Sequence, residues 1–226
     1  MKYYIGVASI NVTKYQYEYV SISGHLDSYD VATGGIDCGT GIGPMMEAAR
    51  MIALSGAKPK RTILFVAFAG EEFGLLGAKA YVKTHAKELG KIANLFNRDG
   101  GPTPPVGISV PQAMYDDFVE VCKPVKEIRA DYPFEVKVAK PFKRPTQSGG
   151  TDASVFAVEG VPTFGFNTQD IKGYNFSYGE IWHTERDLYT KNIPEYQEHA
   201  ATVTAVVALG IANLSKQLSR EGMHKK

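Results

Sequence analysis

The stretch T-I-L-F-V-A-F-A-G-E-E, residues 62–72, decides how the fold is read. From Thr62 to Ala69 neither a charge nor a polar–apolar alternation interrupts it. A strand with one wet face alternates, whereas a strand covered by helices on both faces does not. The run stops at a glycine followed by two adjacent carboxylates, Glu71 and Glu72. Downstream, Leu75–Thr84 reads as a helix and Ile92–Phe96 as a short strand. Upstream, Tyr17–Ser23 and Tyr3–Ile10 carry the Tyr, Val and Ile that favour strands. Between them and the central run, Ile42, Met45, Met46, Ala49, Ile52 and Ala53 recur at helical spacing, with Pro44 placed in the first turn. Farther on, the pattern predicts a helix over Tyr115–Val125, a strand over Phe134–Val138, a helix over Thr151–Glu159, an extended Pro162–Phe166 and a helix over Ile193–Leu218. Strands interleaved with helices predict an α/β domain around a mostly parallel sheet. Such sheets bind ligands just beyond the carboxyl ends of their strands.

With 226 residues, 44% of them hydrophobic, residues 1–226 suit one globular domain with a sizeable core. The 25 Lys and Arg nearly cancel the 24 Asp and Glu, leaving a net +1 and no field that would draw nucleic acid or an anionic membrane. No apolar run reaches the ~20 residues of a membrane span. The most apolar stretch, Ala200 to Leu214, contains Thr202 and Thr204 and reads as a buried helix. Cys38 and Cys122 form no C-x-x-C pair, so they define neither a disulfide framework nor a thiolate zinc site. They could still pair in space, which leaves the redox compartment open. The N-terminus lacks the charged, apolar and small-residue regions of a secretory signal. Met1 runs almost directly into the first strand, so an upstream segment is expected to be missing. Nothing in the pattern sets an oligomeric state.

Three chemical clusters fall where a predicted strand ends. G-H-L-D-S supplies His25 and Asp27, G-E-E supplies Glu71 and Glu72, and N-R-D-G supplies Asp99. Two more lie on loops: Asp37 in G-G-I-D-C-G and His183 in I-W-H-T-E-R-D. Each has a blander explanation. Asp37 beside glycines is a natural turn residue, and carboxylates favour helix N-termini. Their coincidence at one sheet edge is what a metal site requires. Imidazole nitrogen and carboxylate oxygen suit zinc, and the lack of thiolates suits an open catalytic site. Five ligands serve two ions if one carboxylate bridges. Neighbouring side chains at a strand end point different ways. One glutamate can therefore bind metal while Glu71 takes a proton from the attacking water and later hands it to the leaving amine.

The motifs S-G-H-L-D-S-Y-D-V, G-G-I-D-C-G, K-P-K-R-T-I-L-F-V-A-F-A-G-E-E and W-H-T-E-R-D, spread over residues 21 to about 210, resemble the co-catalytic di-zinc exopeptidases of peptidase clan MH. That group includes secreted bacterial aminopeptidases and plasma glutamate carboxypeptidase, and the likeness is greatest to the latter. The resemblance implies the three-layer zinc-exopeptidase (phosphorylase/hydrolase-like) fold, two Zn²⁺, a peptide substrate and a secreted or periplasmic setting. It implies that His25 binds one zinc with Asp27 orienting it. Asp37 would bridge both ions across a cis or strained Asp37–Cys38 peptide. Glu72 would bind metal beside the base Glu71, and Asp99 and His183 would complete the shells. This chain departs from the family at Cys38, where Asp is frequent, and at Arg98. Trp182 stands where some relatives place a tyrosine that steadies the oxyanion, which leaves Tyr174 and Tyr178 as candidates for that role.

Other features read more plainly. Gly149-Gly150-Thr151-Asp152 either lines the pocket or forms a loop and helix cap. His85, His199 and His224 lack a partner pattern and are expected to face solvent, and Lys58–Arg61 is expected to be a solvated turn. Two rival functions share the fold: a glutaminyl cyclase-like acyltransferase with a single zinc, and a non-catalytic member that has lost its ligands. The full set of five ligand types argues against the second. Loops such as 101–111 and 167–181 would set side-chain preference, and the peptide end recognised stays open, because amino and carboxyl exopeptidases share these metal ligands.

Overall fold

Two strands open the chain, β1 (Gly6–Ile10) and β2 (Tyr15–His25), in a computed structural model that describes residues 4–10, 12 and 14–225. The expected strand Tyr3–Ile10 thus begins at Gly6, and Tyr3 lies outside the described residues. Helix α1 (Gly39–Leu54), strand β3 (Arg61–Phe68), helix α2 (Leu76–Thr84) and strand β4 (Ile92–Asn97) follow. The second half adds β5 (Pro105–Pro111), α3 (Tyr115–Ile128), β6 (Glu135–Ala139), β7 (Phe142–Lys143), α4 (Asp152–Val158), β8 (Phe166–Thr168), α5 (Pro194–Asn213) and β9 (Met223–Lys225).

Strands β2, β3 and β4 run parallel in the order β3-β2-β4, and β1 pairs antiparallel with β3 at the edge. A second sheet has the order β6-β5-β8, and an isolated parallel bridge joins Leu95 of β4 to Thr163, three residues before β8. Helices cover both faces. In β3, Ile63 and Phe65 enter the core built with α1, α3 and α5, while Val66 and Phe68 enter the core built with α2 and α4. This two-sided burial is why residues 62–69 show no alternation. Among the described residues no helix is long and apolar enough to cross a membrane.

Five sequence expectations are corrected. Helix α1 starts at Gly39, so Pro44 lies in its second turn. The missing proline N–H frees the Thr40 carbonyl four residues back, and Arg98 Nε donates to it at 2.8 Å. Helix α5 ends at Asn213, short of Leu218, where Lys60 Nζ and Arg61 Nη1 donate to the Asn213 and Leu214 carbonyls at 2.7 Å each. Lys58–Arg61 is therefore more than a solvated turn, and Arg61 is buried. His199 is wholly buried, with Nε2 donating to the Pro105 carbonyl at 2.9 Å and its ring stacked on Tyr132. His224 is also buried, and His85 stacks on Tyr81. Finally, β5 replaces an expected loop. Its prolines sit at the two ends, where a missing ladder donor costs little, and Ile108 and Val110 are buried between them. Cys38 and Cys122 are both free and buried.

Candidate metal centre

The three parallel strands deliver the first candidate ligands by ending at the same level. His25 is the last residue of β2 and pairs in register with Phe68 of β3. Gly70, with φ of +73°, turns the chain after β3 so that Glu71 and Glu72 follow at once. On the other side Ser23 pairs with Asn97, and Ser23 Oγ donates to Asn97 Oδ1 at 2.6 Å, which sets Asp99 just past β4. Asp37 arrives from the loop before α1, and His183 from the irregular segment between β8 and α5. Asp37, Glu71, Glu72, Asp99 and His183 line one cleft of about 550 Å³, with His25 buried beneath it.

The donor atoms form two sets that share Asp37. The Asp27 carbonyl accepts from His25 Nδ1 at 2.9 Å, so Nε2 faces Asp37 Oδ1 at 3.0 Å and Asp99 Oδ1 at 3.5 Å. His183 Nε2 lies 2.9 Å from Glu72 Oε2, and donor atoms of Asp37, Glu72 and His183 all fall within 4.8 Å of one another. Glu72 Oε1 is buried and has no hydrogen-bond partner among the described residues. Two imidazoles, each turned to carboxylate oxygens, fit a pair of zinc ions joined by one bridging carboxylate. Burial alone would depress the His25 imidazolium, but Asp37 and Asp99 outweigh it and raise its pKa. The peptide Asp37–Cys38 is cis, as the clan resemblance led one to expect. Cys38 Sγ donates to the Arg98 carbonyl at 3.0 Å, and burial raises its pKa, so the thiol stays protonated.

A profile of peptidase family M28 matches residues 7–207. The chain belongs to peptidase family M28. It is 31% identical over 214 residues to carboxypeptidase Q of Rattus norvegicus, covering 95% of this chain and 42% of that protein. The crystal structure of a peptidase M28 precursor from Shewanella amazonensis superposes with a TM-score of 0.77 at 31% identity, over 94% of this chain and 45% of that one. A zinc aminopeptidase from Bacillus subtilis, 20% identical, shares the fold with a TM-score of 0.69 over 97% of this chain and 52% of that one. This M28 chain thus spans under half the length of the carboxypeptidase Q it matches.

Within the M28 chain, Asp27 and Arg98 brace the segments that carry the candidate ligands, Asp27 in a way the sequence did not predict. The Asp27 carboxylate does not clasp the His25 ring, from which it stands 3.8 Å away. It accepts instead from the backbone N–H groups of Glu71 and Glu72 at 3.1 Å each, and so fixes the turn that carries them. Arg98, half-buried, donates to carbonyls of Thr40, Gly101 and Thr103, tying the segment after Asp99 to α1. Burial lowers its pKa to about 10. Gly41 makes this approach possible, since a Cβ there would lie 2.2 Å from the Arg98 carbonyl oxygen.

The rest of the M28 cleft surrounds Glu71 and His183. Burial, followed by the charge of Asp99, pushes the Glu71 carboxyl up to about 8. Tyr178 Oη donates to the second oxygen of Asp37 at 2.6 Å, whereas Tyr174 is engaged with Glu195. Gly149, Gly150 and Thr151 line the cleft, and Thr151 also caps α4, so both readings of that segment hold. Asp152 behind them is buried with neither oxygen partnered among the described residues. His183 is sandwiched between Tyr29 and Trp182, each 4.2 Å away between ring centroids. Reading the sequence singled out neither Tyr29 nor Asp187. The only available signal for Asp187 was its place at the end of I-W-H-T-E-R-D.

Proposed function

We propose that residues 1–226 form the catalytic unit of a two-zinc exopeptidase that hydrolyses terminal bonds of peptides or dipeptides. The observation that carries this reading is that Asp37 belongs to both donor sets. His25, Asp37 and Asp99 would hold one ion, and Asp37, Glu72 and His183 the other. Zinc, when bound, supplies Lewis acidity that polarises a peptide carbonyl and makes water acidic near neutral pH. Glu71 is not needed to complete either set, although its carboxylate lies within 4.8 Å of donor atoms of His25 and Glu72, and it is buried with a raised proton affinity. Its carboxylate takes the proton of the attacking water and delivers it to the leaving amine. Asp27 holds Glu71 in place through its backbone N–H. The Tyr178 hydroxyl, whose one proton goes to Asp37, would meet the developing oxyanion by turning that proton away from the carboxylate.

The cleft also carries charge at separate places along a lining that includes Leu75 and Trp182. Its floor is acidic, and Lys79 is the one lysine or arginine among the described residues that line it. A short peptide fits that polarity with its amine toward the carboxylates and its carboxylate toward Lys79. A glutaminyl cyclase-like acyltransferase would need one donor set, and the second set favours hydrolysis instead. Kinship with a Shewanella protein described as a precursor supports export to the periplasm or medium.

The test is metal content together with turnover of unblocked, N-acetylated and C-amidated dipeptides. Two zinc ions per chain and cleavage of unblocked dipeptides are expected, lost on chelation and restored by zinc. Lys79→Ala should raise KM for unblocked dipeptides and leave the amides unchanged. One ion per chain with cyclisation of N-terminal glutamine would replace this function with the acyltransferase.

A further inference from the structure

Asp187 is buried and ionisable, yet it reaches no donor set of the cleft. Its contacts go elsewhere. One carboxylate oxygen accepts from the Ile36 N–H at 2.7 Å and the other from the Asp37 N–H at 3.2 Å. Its backbone carbonyl accepts from Thr33 N at 3.2 Å and Thr33 Oγ1 at 2.8 Å. Its own N–H donates to the Thr184 carbonyl at 3.1 Å, which ties it to the turn that follows His183. Every one of these bonds joins the loop carrying Asp37 to the loop carrying His183, or fixes Asp187 within the latter.

A second observation points the same way. At Gly35 an added Cβ would lie 2.1 Å from the backbone N of Tyr189 and 2.3 Å from the carbonyl carbon of Leu188. The two loops therefore touch backbone to backbone, which only glycine allows. The carboxylate fork of Asp187 repeats what Asp27 does for Glu71 and Glu72, where one carboxylate also grips two consecutive N–H groups. Two turns that carry candidate ligands are thus each held by an acid outside both donor sets, Asp187 buried and Asp27 partly exposed.

We infer that Asp187 is a positioning residue that locks the bridging Asp37 to the His183 loop and so sets the spacing of the Asp37–Glu72–His183 ion position. The inference rests on the two-zinc reading above. A charged acceptor is needed because both N–H groups are buried and a neutral amide could satisfy only one of them. In Asp187→Asn the shape is kept, but an NH₂ group must face one of the two N–H donors. Groups that orient metal ligands in this way contribute about 10–100-fold to metal affinity.

The experiment titrates metal-free wild type, Asp187→Asn and Asp187→Ala with Co²⁺. It reads stoichiometry, affinity and the visible d–d absorption, with unfolding of each metal-free protein measured in chelator. The inference expects a loss of about 10–100-fold in affinity for one of two ions in Asp187→Asn, with a changed absorption band. Should Asp187→Ala fail to fold, the isosteric Asp187→Asn decides alone. Variants that unfold more easily but bind both ions with wild-type affinity and an unchanged spectrum would overturn it, because the fork would then be structural only. Wild-type protein that takes up no Co²⁺ would overturn both this inference and the two-zinc function, whereas variants indistinguishable from a two-ion wild type would overturn this inference alone.

Discussion

His25 and His183 reach the same cleft from opposite kinds of backbone. His25 ends a strand whose partners on both sides are fixed by parallel ladders, and its side chain is 1% exposed. His183 sits in an irregular segment at φ of +58°, a conformation that costs an L-residue about 1–2 kcal/mol, with a side chain 33% exposed. His25 is oriented by the carbonyl of Asp27, two residues away. His183 is held by the rings of Tyr29 and Trp182 and by a loop anchored through Asp187. The strand-borne candidate ligand is preset by the continuous parallel ladders of its sheet, and the loop-borne one depends on isolated contacts between irregular segments. Lesions far from the cleft should therefore register at His183 and spare His25.

The largest effect belongs to a residue on neither side of this divide. Glu71→Gln should leave both ion positions filled while kcat falls about 10²–10⁴-fold, with little change in KM. Glu72→Gln should instead empty the His183 side, and added zinc should partly restore turnover. Zinc stoichiometry beside steady-state kinetics separates the two, and the roles are exchanged if Glu71→Gln is the variant that loses metal.

Next come the histidines themselves, compared in chelator without metal. His25→Ala leaves the buried Asp37 and Asp99 carboxylates facing each other without a cation, which should cost about 1–3 kcal/mol of stability. His183→Ala removes a partly exposed ring and should cost no more than about 1 kcal/mol. Each should abolish a different ion position. Urea unfolding reads the difference, and equal destabilisation would break the contrast between preset and dependent ligand.

The smallest effect lies at the rings around His183. Trp182→Leu removes one stacked face and should weaken binding on that side by about 2–10-fold, matching the worth of one aromatic pair. The His25 side should be untouched. Cobalt titration resolving the two ions would show it, and an equal loss at both would mean that the cleft does not divide as described.

Some of this was legible beforehand. The apolar run over Thr62–Ala69, the carboxylates after it and the histidine after Tyr17–Ser23 predicted both the sheet and its ligand edge, and β3 and β2 occupy those places. The errors fell where a residue's environment comes from far along the chain. His199 was expected in solvent and is buried against Pro105, because β5 lies beneath α5. Residues 101–111 were expected to be a loop because prolines hide a strand from a pattern search, although they sit only at its ends. Trp182 was assigned no contact, yet it stacks on its neighbour His183.

The sequence by itself determined the parallel strands and the sheet edge at which the candidate metal donors lie. Burial on two faces writes an unbroken apolar run, and the handedness of parallel connections sends the following residues to one edge. Only the tertiary structure decided what fixes those donors in space. Asp187 lies 150 residues from the Asp37 N–H it grips, and Tyr178 lies 141 residues from the Asp37 carboxylate to which it donates. The Arg98 guanidinium lies 58 residues from the carbonyl that Pro44 leaves free. Hydrogen bonds across such separations have no periodicity in the chain, because they exist only once two loops have been brought together by the packing of everything between them.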